Sequence, residues 1–62
     1  MKVECDGRTI EYNKPMQIYK LMEHLSINRE TYLAVVNDRL VTEDYKVDEN
    51  DSVKFIKVVS GG

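Results

Sequence analysis

Met1-Lys2-Val3-Glu4-Cys5-Asp6-Gly7-Arg8-Thr9-Ile10-Glu11-Tyr12 decides how the rest of this chain is read. Residues 1–5 alternate apolar and polar, the period of a strand with one buried face. Asp6-Gly7 then fills the two positions at which a type I′ turn needs positive φ. Residues 8–12 alternate again and place Ile10 and Tyr12 on one face. The stretch therefore predicts an antiparallel β-hairpin at the start of the domain.

Beyond the hairpin the period changes. Asn13-Lys14-Pro15 breaks the alternation, and Pro15 suits the first turn of a helix, where its missing N–H costs nothing. Ile18, Leu21, Met22 and Leu25 then fall at i, i+3, i+4 and i+7, one apolar stripe on a helix over 16–25. A helix this short is not stable alone, so its stripe must lie on a sheet. Tyr32-Leu33-Ala34-Val35-Val36 is a β-rich run, Asn37-Asp38-Arg39 supplies a turn, and Leu40-Val41 reads as a short returning strand. Residues 42–50 are polar and read as irregular, with Tyr45 and Val47 as anchors. A last strand spans 52–59.

The order ββαβ(β)β predicts an α+β domain: a mixed sheet of four to five strands with one main helix across one face. The first and last strands are expected to be central neighbours, and the helix to make a right-handed crossover from the second strand to a later one. This is the β-grasp (ubiquitin-like) outline. The expected core is Val3, Cys5, Ile10, Ile18, Leu21, Met22, Leu25, Val53 and Phe55. Residues 1–59 read as a single domain and 60–62 as a flexible tail.

Sixty-two residues with 42% apolar and 32% charged content fit one small globular domain. A core and a deep catalytic pocket do not both fit in such a chain, which favours a module handled by partners. The net charge is −2, and the nine basic residues are scattered rather than striped, so no nucleic-acid role is expected. Cys5 is the only cysteine, which excludes an internal disulfide, and one Cys with one His gives no metal-ligand spacing. No apolar run is long enough to cross a bilayer and no signal segment precedes the first strand, so a cytoplasmic location is expected. Buried in a strand, Cys5 reads as a small hydrophobe. His24 reads as a surface residue, and Tyr12, Tyr19, Tyr32 and Tyr45 as core edges with wet hydroxyls.

The end of the chain carries the functional signal. The strand Asp51-Ser52-Val53-Lys54-Phe55-Ile56-Lys57-Val58-Val59 runs to Ser60-Gly61-Gly62. Neither glycine has a Cβ, so the segment can thread a narrow channel and present an unhindered carboxylate. Launched from a strand, that carboxylate is the expected working group.

A β-grasp order closing on Gly-Gly resembles the ubiquitin-like sulfur carriers, the ThiS family of thiamin synthesis and the MoaD family of molybdopterin synthesis. The resemblance spans the whole chain. It rests on the hairpin around Asp6-Gly7, the helix from Met16 to Leu25, the strand–turn–strand from Ala34 to Val41, and the stretch from Asp51 to Gly62. The ending lacks the two prolines common before the tail in MoaD-like proteins, and the chain is shorter than typical MoaD, so ThiS is favoured.

The resemblance implies a carrier rather than an enzyme, with no bound cofactor. A partner of the ubiquitin-activating type, an adenylyltransferase, would use ATP to adenylate the carboxylate of Gly62. The acyl-adenylate would become a thiocarboxylate that gives its sulfur to a thiazole synthase or to a molybdopterin synthase large subunit. Gly61 and Gly62 are then the reacting site. Ile56, Val58, Val59 and Ser60 are the candidate partner-binding residues, since Ile56 and Val58 face away from Val53 and Phe55, together with Leu33 or Val35. The free protein is expected to be a monomer. The same tail would also serve a ubiquitin-like modifier joined to lysines through Gly62, and a β-grasp binding module would carry it incidentally.

Overall fold

The computed structural model of the chain describes residues 1–58. Strand β1 (Lys2–Cys5) turns back into β2 (Arg8–Glu11). Asp6 and Gly7 have φ of 51° and 77°, as a type I′ turn requires. A two-residue strand β3 (Met16–Gln17) leads into helix α1 (Ile18–Leu25). β4 (Tyr32–Val36), β5 (Arg39–Val41), β6 (Lys46–Val47) and β7 (Ser52–Lys57) complete the chain.

The main sheet has the order β2-β1-β7-β4-β5, and β3 pairs with β6 in a separate ribbon. β7 lies in the middle, parallel to β1 and antiparallel to β4. Because β1 and β2 are antiparallel, β2 and β4 run the same way, and α1 crosses between them over one face. This is the β-grasp arrangement, with the first and last strands adjacent as the order predicted.

Val3 and Cys5 of β1, Val53 and Phe55 of β7, and Ala34 and Val36 of β4 point to the helix side. There they close over Ile18, Leu21 and Met22. Val47 joins them from β6 with no exposed surface. Ile10 and Leu25, expected in the core, are only half-buried, because β2 is an edge strand and Leu25 lies in the last helical turn. Ala34, Val36 and Val47 take their places in the centre.

The helix begins two residues later than its apolar spacing predicts. Gln17 is extended (φ −78°, ψ 155°), because Met16 and Gln17 pair with Val47 and Lys46. No side chain caps the helix. Instead the Ile18 and Tyr19 amides donate to the carbonyls of Tyr45 and Glu43, both at 2.9 Å, which satisfies two of the open donors of the first turn. The stretch 42–50 is therefore not wholly irregular: it holds β6 and supplies the backbone cap. Tyr45 anchors through its carbonyl, while its side chain is 41% exposed. The helix stops at Ser26, which is left-handed (φ 57°). The Ile27 and Ser26 amides return to the carbonyls of Met22 and Glu23, a Schellman end.

Asn37 and Asp38, both at positive φ, form the β4–β5 turn, and Arg39 belongs to the strand rather than the turn. Asn37 also clasps the entry to β7. Its Nδ2 donates to Asp51 Oδ1 at 2.9 Å, and its Oδ1 accepts from the Ser52 amide at 3.1 Å. Asp51 Oδ2 accepts from the Asp48 amide at 3.0 Å.

The Asp48 amide, and after it Asn37, hold the Asp51 carboxyl below its ordinary value of 3.8. A depressed carboxyl stabilises the fold above the unfolded-state value, and that contribution disappears as pH falls through the folded one. Stability is therefore expected to fall with acidification below about pH 4, partly through Asp51. Asp51→Asn should unfold at lower urea than the parent at neutral pH and show a shallower loss in acid. Parallel urea midpoints across the acid range would remove Asp51 from the account.

Candidate functional site

The expected site lies at the carboxyl end of β7. That strand ends at Lys57, two residues earlier than expected, because the pairing of β4 stops at Tyr32 opposite Lys57. One further bond holds the chain: the Val58 amide donates to the Thr31 carbonyl at 2.8 Å. Val59, Ser60, Gly61 and Gly62 lie outside the described residues. From Val58, the four residues to Gly62 can reach at most about 14 Å.

The exit is braced from both sides. β1, parallel to β7, ends beside Phe55 and turns at Asp6-Gly7, while β4 starts beside Lys57. The Tyr32 hydroxyl donates to Asp6 Oδ2 at 2.9 Å and so ties the start of β4 to the β1–β2 turn across the last strand. That bond keeps the phenol protonated and raises its pKa above the ordinary 10.0. Cys5, next to Asp6 in the chain, is buried. Loss of solvation, with the neighbouring Asp6 carboxylate, pushes its thiol up, so it stays a neutral packing group and not a nucleophile.

The sheet face away from the helix is divided. On β2 and β1 it shows Thr9, Glu11, Lys2 and Glu4. On β7, β4 and β5 it shows Ile56, Leu33, Val35 and Leu40, with Lys54 between Glu4 and Val35. Ile56 and Leu33 are register partners, 44% and 42% exposed, and Leu40 is 67% exposed. Side chains of direct cross-strand partners lie next to one another on the same face, so Ile56 and Leu33 form one continuous apolar spot. The structure thus brings Ile56 together with Leu33 and Val35 as the alternation predicted. Val58 is half-buried beyond the strand end. Leu40 was not singled out by the sequence reading, although its place opposite Val35 follows from a two-residue turn at Asn37-Asp38.

Among the described residues no polar or charged side chain is buried, and no cluster of His, Cys, Asp and Glu suited to a metal occurs. No helix among them is long and apolar enough to cross a membrane. The arrangement offers a contact face and an exit, side by side on one strand.

Comparison with known proteins adds the following. The ThiS family model matches residues 2–62. Sulfur carrier protein TtuB of Thermus thermophilus is 32% identical over 53 residues, covering 86% of this chain and 78% of that protein. The crystal structure of thiamine biosynthesis protein ThiS from Geobacter metallireducens matches with a TM-score of 0.70 at 17% identity, covering 100% of both chains. An NMR structure of a thiamine biosynthesis protein from the same organism gives 0.63 at 17% identity, over 100% of this chain and 88% of that one. At that identity the two structures speak for the fold alone.

Proposed function

The chain belongs to the ThiS family, and from that premise we propose how it carries sulfur. A partner adenylyltransferase uses ATP to convert the Gly62 carboxylate to an acyl-adenylate, a sulfur donor replaces the AMP, and the resulting thiocarboxylate passes its sulfur to a synthase. The chain is a carrier and a substrate of its partners rather than a catalyst. The observation that carries this reading is the extent of the family match, which runs through residue 62 and so includes Gly61 and Gly62.

The physical requirements fit. A carboxylate is a poor electrophile, because its charge repels nucleophiles and its oxygen leaves badly, and adenylation supplies a better leaving group. A side chain at residue 62 would crowd the acyl carbon, and one at 61 would widen the chain where it passes through a partner's channel. The acceptor we favour is a thiazole synthase. A second reading, in which the sulfur goes to another acceptor, is favoured by the 32% identity to the sulfur carrier TtuB against 17% to the ThiS structure. Sulfur transfer assayed with thiazole synthase alone separates the two: turnover supports the first and its absence the second.

The partner reads the apolar face of β7 and β4. Exposed aliphatic patches on small domains mark contact sites, and this one lies on the strand that leads to the tail. Ile56→Glu and Leu33→Glu should each weaken binding of the activating enzyme at least about tenfold, equivalent to about 1.4 kcal/mol. Both are surface changes, so stability should move by no more than about 0.5 kcal/mol. Titration calorimetry paired with urea unfolding checks this. Unchanged affinity in both variants would move the contact elsewhere.

A further inference from the structure

The helix side of the molecule carries a groove with a different character. Lys14, Pro15, Met16, Gln17, Lys20, His24 and Lys46 line it. Three of the six lysines in the chain and its single histidine meet there, with no acidic residue in the lining, although the net charge is −2. The placement follows from the fold. Lys20 and His24 lie one turn apart on α1, Lys46 is the register partner of Gln17, and Lys14 precedes β3. Among the described residues the one ion pair is Arg29–Glu43, so none of the three lysines is neutralised by a carboxylate there. At the groove's end the His24 ring stands edge-on to Tyr12, with centroids 5.8 Å apart at 82°.

Like charges on one surface give it a positive potential that favours an anionic partner. We propose that this groove is a second docking site, for an acidic, leucine-containing peptide segment of a protein partner. The lining selects among anions. Half-buried Met16 and the ring of Pro15 form an apolar floor, and Gln17 offers an amide to a peptide backbone. A bare phosphate would use the lysines and leave the floor wet. A single-stranded nucleic acid binds by stacking bases on aromatic faces, and no Phe, Tyr or Trp lines the groove, the one ring there, His24, standing against Tyr12. The groove lies on the helix side of the sheet and the Ile56–Leu33 spot on the opposite side, so one carrier can hold both partners at once. The site does not depend on the fate of Gly62.

The test is an amide NMR titration of the full chain with a blocked peptide of alternating glutamate and leucine. Controls are the same peptide with glutamine for glutamate, inorganic phosphate, and a short oligodeoxynucleotide. The glutamate peptide should shift the amides of Met16, Gln17, Lys20, His24 and Lys46 and leave Leu33 and Ile56 in place. Its affinity should drop at least about tenfold in the K20E/K46E double variant, and by less in K20Q/K46Q, as loss and reversal of rim charge require. Equal binding of the glutamine peptide, shifts centred on Leu33 and Ile56, no loss in either double variant, or saturation by phosphate or the oligonucleotide at concentrations where the peptide does not bind would each overturn the assignment.

Discussion

Removing Gly61 and Gly62 is expected to abolish thiocarboxylate formation completely and to leave the urea midpoint of the domain where it was. The described core contains nothing from beyond Phe55, and among the described residues the bond nearest the carboxyl end is made by Val58. The reaction, by contrast, needs the carboxylate at the far end of about 14 Å of chain. Shortened by two residues, the chain reaches only about 7 Å past Val58 and ends on Ser60, whose side chain stands next to the acyl carbon. The measurement is the intact mass after incubation with the activating enzyme, ATP and a sulfur donor. The parent should gain the difference between sulfur and oxygen and the shortened chain should not. Gly61→Val keeps the carboxylate but adds a branched Cβ inside the channel, and is expected to lose most of the signal. A shortened chain that still gains sulfur, or a parent that never does, ends the proposal that Gly62 is the reacting residue.

Leu21→Ala is expected to lower the urea midpoint of the domain more than any surface substitution, removing about 2–5 kcal/mol. Leu21 is among the largest side chains with no exposure, together with Ile18, Val3 and Val47. Leucine-to-alanine changes at such sites cost about 2–5 kcal/mol, the lost transfer energy plus the cavity. At the usual 0.05–0.15 kcal/mol per residue, 62 residues give a total of only about 3–9 kcal/mol. One substitution therefore takes from about a fifth to all of what holds the fold. No disulfide offsets it, since Cys5 is unpaired. Leu40→Ala serves as the control, because that side chain is 67% exposed and should change the midpoint little. If Leu40→Ala lowers the urea midpoint more than Leu21→Ala, the assignment of the core is wrong.

What could be read from the chain follows from where local signals and tertiary pairing agree. The hairpin was legible because alternation and the Asp6-Gly7 turn are both short-range. The strand from Tyr32 to Val36 was legible because five apolar residues in a row, three of them β-branched or aromatic, leave little choice. The partner face was legible in outline, since Ile56 must point away from Phe55. The boundaries of α1 were not. Met16 falls inside the helix predicted over 16–25, and only its pairing with Val47, some thirty residues on, makes it a strand. Val47 reads as an anchor because it is apolar among polar residues, but nothing local signals that it belongs to a strand. The groove at Lys14, Lys20, His24 and Lys46 was invisible for the same reason. Its charges are scattered in sequence and meet only when β3 pairs with β6.

The position of β7 has a consequence for how the chain folds. Val3 pairs with Val53, so the pairing at the centre of the sheet joins segments some fifty residues apart. Without β7, the β1–β2 and β4–β5 hairpins share no hydrogen-bonded edge. Such long-range closure is the slow step in small domains, because its loop entropy is lost before the contacts form. The two hairpins and α1 can fluctuate early, and they lock together only when the last strand slides between them. The segment that slides in is the one that leads to Gly62. A carrier caught half-folded would thus have its last strand out of place, and an activating enzyme that grips Ile56 and Leu33 as one surface would find only half of its target. Under the proposed contact at Ile56 and Leu33, the placement of one strand would make the partner's grip depend on the integrity of the whole domain.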